Sequence, residues 1–217
     1  MTNTKVKICG IATPEDYTIC AEAGAAFIGM VFFPRSPRHL SLETARTLAA
    51  HGDQMGTDAP RRVALTVDMP DDELDLVVAA ARPDFIQLHG SETPARAAAI
   101  KQRYGLPLIK AIRVGSREDL DVCAGYEGIV DWLLFDAKGD PGGLPGGTGH
   151  QFDWSLLAGR AGRTPWMLAG GLGVENVARA IATTKAIAVD VSSGVEDAPG
   201  KKDPVRIRAF VSAANIE

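Results

Sequence analysis

Two residues near the start of the chain are the first that could do chemistry. Lys7 and Cys9 stand two apart in Lys5-Val6-Lys7-Ile8-Cys9-Gly10, an apolar run that reads as a strand. Side chains alternate along a strand, so both lie on one face. An isolated thiol ionises near pH ~8.5 and is only about 3% thiolate at pH 7. An ammonium on the same face favours the thiolate, which could serve as nucleophile or general base. The plainer reading is that Cys9 is a small core residue. A second candidate is Asp136, which ends the run Trp132-Leu133-Leu134-Phe135. A carboxylate closing an apolar strand can act as a general acid, or it can cap the following loop.

Further polar residues close other β-branched or aromatic runs. They are Arg35 and Arg38, Asp68, His89, Arg113, the pair Gly170-Gly171 and the pair Ser192-Ser193. An Arg can grip a carboxylate through two hydrogen bonds, a role that suits Arg38; Arg35 reads better as a solvated loop charge. His89 shares a face with Gln87 and either orients a ligand or is a satisfied core histidine. Gly170-Gly171 and Ser192-Ser193-Gly194 read as anion-binding loops, because glycine lets backbone N–H groups approach a phosphate. The segment from Gly139 to Gly149 nearly matches a nucleotide-binding P-loop, but Thr148 stands where that loop needs Lys.

These residues need a frame that gathers strand ends. Short strands alternate with Ala-rich helices along the whole chain. Strands are expected over 5–10, 27–33, 62–68, 85–89, 106–114, 132–136, 166–169 and 186–191. Helices are expected between them, with Thr13-Pro14 and Asp203-Pro204 as starts. Gly24 ends the first helix, and Ser116 caps the one after the fifth strand. About eight such units in 217 residues, with no compositional break, predict an α/β fold, a single (β/α)8 TIM barrel filling residues 1–217 as one catalytic domain. The alternative is an open doubly wound sheet. In a parallel barrel the site lies at the C-terminal strand ends, and loops after strands seven and eight commonly hold phosphate.

Composition narrows the partners. Lys and Arg number 23 against 27 Asp and Glu, a net charge of −4, which argues against nucleic acid. No apolar run approaches the ~20 residues of a membrane span, and Met1 to Lys5 lacks a secretory core. Three widely spaced cysteines suit a reduced, cytoplasmic protein, and the four histidines form no metal motif.

Seven segments, in order from strand one to strand eight, carry a family resemblance. They are Lys7-Ile8-Cys9-Gly10; Gly29 to Phe33 with Ser36-Pro37-Arg38; Gln87-Leu88-His89-Gly90; Leu134-Phe135-Asp136; Gly146-Gly147-Thr148-Gly149 leading to Phe152-Asp153-Trp154; Leu168 to Leu172; and Asp190 to Glu196. The chain resembles the phosphoribosylanthranilate isomerases of tryptophan biosynthesis. The resemblance implies an Amadori rearrangement of N-(5-phosphoribosyl)anthranilate, with Asp136 as general acid and Cys9 as general base, and no cofactor or metal. It implies Arg38 on the anthranilate carboxylate and His89 near the substrate. It implies phosphate held by Gly147, Thr148, Gly149, Gly170, Gly171, Ser192, Ser193 and Gly194, with Asp190 lining the pocket. The expected partner is a small phosphorylated molecule, and the protein is expected as a monomer or homodimer. Pro141 to Pro145 lengthens the loop after strand six relative to the family pattern. The rival readings are a Schiff-base aldolase using Lys110 or Lys138, and a non-catalytic phosphometabolite-binding protein.

Overall fold

In the computed structural model, which describes residues 4–139, 152–160 and 163–215, eight parallel strands close into a barrel in chain order. They are β1 (Lys5–Cys9), β2 (Phe27–Phe32), β3 (Arg61–Thr66), β4 (Phe85–Leu88), β5 (Leu108–Val114), β6 (Trp132–Ala137), β7 (Trp166–Leu168) and β8 (Ala188–Val191). β8 pairs with β1, in a register that sets Asp190 beside Lys7. Around them lie α1 (Pro14–Glu22), α2 (Leu42–Met55), α3 (Asp71–Ala81), α4 (Pro94–Tyr104), α5 (Val177–Thr184) and α6 (Pro204–Ala214). After β8 comes a small antiparallel hairpin that the sequence pattern did not suggest, β9 (Glu196–Ala198) with β10 (Lys201–Lys202). The closed order excludes the open sheet.

The helix starts have local causes. Thr13, Ser41, Thr93 and Asp203 each accept a backbone N–H from the first turn, and Pro follows three of them, where its missing N–H costs nothing. One expected cap is replaced. Ser116 does not cap a helix; its own N–H and that of Gly115 donate to Asp119 Oδ2, at 3.0 and 2.9 Å. The carboxylate draws the chain into a tight turn, and the segment Glu118–Tyr126 is 3-10 rather than α-helical. A short 3-10 turn, Trp154–Leu157, likewise serves after β6.

Strand alternation sorts side chains into two layers. Val6, Ile8, Ile28, Met30, Ile86, Leu88, Phe135 and Leu168 face outward and pack with the helices. Phe27, Val63, Phe85, Ile109, Leu134 and Met167 fill the lower barrel. Towards the C-terminal strand ends the interior turns polar, with Lys7, Gln87, Asp136 and Asp190 all buried there.

Lys110 lies between inward-facing Ile109 and Ala111 and therefore points outward. Its ammonium donates to Glu92 Oε2 at 2.9 Å and to the carbonyls of Gly90 and Leu88, at 2.8 and 3.3 Å. Glu92 also accepts the N–H groups of Asp68 and Gly90, so this ion pair anchors the loops after β3 and β4. Replacing one member strands a buried charge. We expect Lys110→Met to lower the unfolding free energy by roughly 3 kcal/mol, read from a urea denaturation midpoint. A loss below about 1 kcal/mol would mean that the pair behaves like a surface one.

Candidate functional site

The residues that open the site stand at the mouth of the barrel. Cys9 ends β1 and packs with Val31 and Leu65. Lys7, one step deeper on the same face, is fully buried, and its ammonium pairs with Asp190 Oδ1 at 2.9 Å. Burial pulls the Lys7 pKa down, but Asp190 and Cys9 more than reverse that, so it stays a cation. Burial pushes the Asp190 carboxyl up, against the pull of Lys7.

Lys7 does favour the Cys9 thiolate, as the shared face implies, but other influences outweigh it. Burial pushes the thiol up; Lys7 and Lys202 pull it down, and Asp190 pushes it up again. The net shift is upward. Burial dominates, and the Lys7 charge is shared with the Asp190 carboxylate, so the resting group is the thiol.

Asp136, at the end of β6, is held at both oxygens. Oδ1 accepts the N–H of Ala137 at 2.9 Å, and Oδ2 lies 3.2 Å from His89 Nε2. His89 Nδ1 lies 2.8 Å from the side-chain nitrogen of Gln87, which is fully buried. With that amide donating, Nδ1 accepts, so Nε2 carries the proton and donates to Asp136. His89 therefore orients the acid. The sequence showed the shared face of Gln87 and His89, but not that Asp136, 47 residues on, completes the chain. Asp68 and Arg113 brace the same loop: Asp68 accepts the Ser91 N–H at 2.7 Å, and Arg113 donates to the His89 carbonyl at 3.4 Å.

Arg38 is not a free loop charge. It is 7% exposed and makes a two-pronged pair with Glu196, Nε to Oε1 and Nη2 to Oε2, both at 2.7 Å. Its stem lies across Gly10. A Cβ on Gly10 would sit 2.6 Å from Arg38 Cδ, and Gly10 has φ +86°, so glycine is required there twice over. Lys202 donates to Glu196 Oε1 at 2.6 Å and to the Ser192 carbonyl at 3.1 Å. Burial pulls the Glu196-bound Lys202 below the ordinary lysine range. Burial pushes Glu196 up, but Arg38 and Lys202 together hold it below the ordinary carboxylate range. Arg35 stacks on Phe33, with its guanidinium 5.9 Å from the ring centre.

The loops after β7 and β8 meet. Gly170, with φ +85°, passes so close to β6 that a Cβ would sit 2.6 Å from the Ala137 nitrogen. Gly194 presses against the Leu172 carbonyl. Ser192 donates its hydroxyl to the Cys9 carbonyl at 3.0 Å, and Ser193 opens a short 3-10 turn, Ser193–Val195. Asn176, which the sequence reading passed over, stitches the β7 loop: Oδ1 accepts the Gly173 N–H and Nδ2 donates to the Gly171 carbonyl, both at 2.9 Å. Cys9, Arg38, His89, Asp136, Gly170, Gly171, Asp190, Ser192, Ser193 and Gly194 thus follow from strands at one end of the barrel. Gly147, Thr148 and Gly149 lie outside the described residues. Among the described residues no three His, Cys, Asp or Glu side chains gather in a way that could hold a metal ion, and no helix is long and apolar enough to cross a membrane.

The thiol state has a direct chemical readout. With burial and Asp190 opposing ionisation, alkylation of Cys9 by iodoacetamide should stay slow through neutrality and rise only at a pH above the ordinary thiol range. Lys7→Met should push that rise higher still. Peptide mapping after timed quenching separates Cys9 from Cys20, whose burial raises its pKa to about 12. Fast labelling of Cys9 at pH 7 would show a resting thiolate instead.

Comparison with known proteins gives this arrangement a family. Residues 6–213 match the family model described as N-(5'phosphoribosyl)anthranilate (PRA) isomerase. An N-(5'-phosphoribosyl)anthranilate isomerase of Parvibaculum lavamentivorans is 54% identical over 215 residues, covering 98% of each chain. A phosphoribosyl anthranilate isomerase solved in complex with reduced 1-(o-carboxyphenylamino)-1-deoxyribulose 5-phosphate superposes with a TM-score of 0.83 at 34% identity, over 97% of this chain and 98% of that one. A structure of monomers generated from the dimeric isomerase of Thermotoga maritima superposes at 0.82 and 34%, with the same coverage. With a match along nearly its whole length, a closed eightfold barrel, and a cysteine and an aspartate at the mouth, the chain belongs to the N-(5'-phosphoribosyl)anthranilate isomerase family.

Proposed function

We propose that Cys9 and Asp136 carry the reaction that defines the family, the isomerisation of N-(5-phosphoribosyl)anthranilate from aminoaldose to aminoketose. The observation that carries this reading is the pair itself. One acid and one thiol stand at strand ends of the same barrel mouth, where β6 and β1 deliver them. Asp136 gives a proton to the ribose ring oxygen. The C1′–O bond breaks and the nitrogen lone pair forms the C=N bond of a protonated Schiff base. Cys9 then takes the proton from C2′, and the C–H electrons move to make a C1′=C2′ enolamine. Tautomerisation of its C2′ hydroxyl gives the ketone. Both steps are proton transfers, so the scheme calls for no cofactor.

The raised thiol fits this order of events. The cation of the Schiff base arrives beside Cys9 after ring opening and favours its ionisation; the thiol proton passes through solvent to the Asp136 carboxylate that ring opening has just deprotonated, the resulting thiolate takes the C2′ proton, and both groups end as they began. His89 holds the Asp136 carboxyl at the angle needed for transfer. Arg38 takes the anthranilate carboxylate. Gly170, Gly171, Ser192, Ser193 and Gly194, together with Gly147, Thr148 and Gly149, take the phosphate. Asp190 lines the pocket through its pair with Lys7. On this reading residues 1–217 act as one catalytic unit on a small phosphorylated metabolite, in the cytoplasm, as a monomer or a homodimer, without nucleic acid or membrane.

The test generates substrate in place from anthranilate and phosphoribosyl pyrophosphate with a purified transferase and follows the loss of its fluorescence. Asp136→Asn and Cys9→Ala should each lower kcat by about 10²–10⁴, since each removes one positioned proton-transfer group. Both variants should still bind the reduced product analogue. Wild-type decay no faster than the spontaneous rate, in folded protein, would sink the reading. The aldolase alternative makes a separate claim. Lys110 points away from the barrel interior and Lys138 pairs with Asp119 at 2.8 Å on the surface, so borohydride added during turnover should label neither lysine. A borohydride-fixed adduct on a lysine would restore that alternative.

A further inference from the structure

We propose that Glu196 and Lys202, on the β9–β10 hairpin, are positioning residues that set the specificity for a carboxylate-bearing substrate by presenting one edge of Arg38 to it. The proposal rests on the reading of Arg38 as the carboxylate's partner and says how that partner is aimed. A guanidinium has five N–H donors and can fork onto a carboxylate along its side or its end. Glu196 takes the side, through Nε and Nη2. The end fork, from Nη1 and the second Nη2 hydrogen, remains for a second carboxylate. The stem across Gly10 brings that head to the end of β1, where Cys9 stands.

The hairpin holds this geometry in two further ways. Gly200 at its tip has φ +80°, and a Cβ there would lie 2.7 Å from the carbonyl of Pro37, the residue before Arg38. The Glu196 backbone carbonyl is held by Arg206, and the Val195 carbonyl by the Asp203 N–H at 2.9 Å. Glu196 cannot swing away with Arg38, so it fixes Arg38 instead of following it.

Charge completes the argument. Arg38 and Lys202 are two buried cations in direct contact with one carboxylate, Glu196, and the other carboxylate within electrostatic reach of Lys202, Asp16, is only half-buried. A buried trio with one surplus positive charge is unbalanced until an anion joins it, and one carboxylate balances it. Lys202 also reaches the Ser192 carbonyl, and Ser192 reaches Cys9, so the carboxylate end and the phosphate loop share one hydrogen-bonded frame.

The test compares two ligands by calorimetry, the reduced product analogue and its counterpart with aniline in place of anthranilate, which lacks the carboxylate. Glu196→Asp keeps the charge but shortens the fork. It should weaken the carboxylate ligand by roughly tenfold, the scale of one charge-assisted hydrogen bond, and leave the aniline ligand within about twofold. In turnover it should raise KM more than it lowers kcat. Lys202→Met, which removes the surplus charge, should shift the same ratio in the same direction, and it serves if Glu196→Asp does not fold. Arg38→Met is the reference. If it abolishes the preference while Glu196→Asp and Lys202→Met retain it, the proposal is overturned and the reading of Arg38 stands. If Glu196→Asp weakens both ligands equally, the pair is structural and the proposal is overturned. If Arg38→Met itself keeps the preference, the carboxylate is bound elsewhere, and both fall.

Discussion

A lysine inside the barrel is the constraint around which the mouth is arranged. Lys7 points inward from β1, has no contact with solvent, and keeps its charge. An ammonium in that position survives only with a partner and well-placed hydrogen bonds. Asp190 supplies both, from the neighbouring strand and in the paired register position. The pair therefore ties β8 to β1, the seam where the barrel closes. It also places a cation and an anion beneath Cys9. Lys7 pulls Cys9 towards thiolate, but burial first, and Asp190 with it, push the thiol the other way.

The same logic sorts the other polar groups at the mouth. Each buried charge has a partner from another strand or loop. Asp136 is met by His89 and its own following N–H, Arg38 by Glu196, and Glu196 again by Lys202. Partnering matters more here than on a surface, because the low dielectric that strengthens a pair also magnifies the cost of breaking it. It also makes the groups rigid. On the proposed mechanism, an acid and a base that must meet specific atoms of one sugar gain from side chains that do not wander.

What the sequence showed and what it hid divide along chain separation. Strand alternation put Lys7 and Cys9, and Gln87 and His89, on common faces, and the structure keeps them there. Thr13-Pro14 and Asp203-Pro204 marked helix starts because a cap and its helix are three residues apart. Ser116 misled for the same local reason: Asp119, three residues on, is the stronger acceptor and takes the N–H groups. The sequence left the resting state of Cys9 open because Lys7 is two residues away and visible, while the burial of the thiol and the presence of Asp190, 183 residues beyond Lys7, are not. Glu196 stood inside a recognised segment with no role attached, and Lys202 carried no signal, since their meaning lies in contact with Arg38, 158 residues before Glu196.

These partners fall into two groups with different work. Lys7 and Asp190, with Gln87 and His89, surround the atoms proposed to move protons. Arg38, Glu196 and Lys202 surround the atoms proposed to hold the aromatic carboxylate. Ser192 joins them, donating to the Cys9 carbonyl while its own carbonyl accepts from Lys202. A barrel favours this division because each strand delivers its end to a common mouth yet brings its own loop. Binding groups can then change through the loops and the hairpin while the strands hold the acid and base in place. The carboxylate frame sits on a loop and a hairpin, and the proton-transfer pair sits on strands β1 and β6. Specificity for the substrate's aromatic end is therefore the part of this site most open to alteration without disturbing the chemistry.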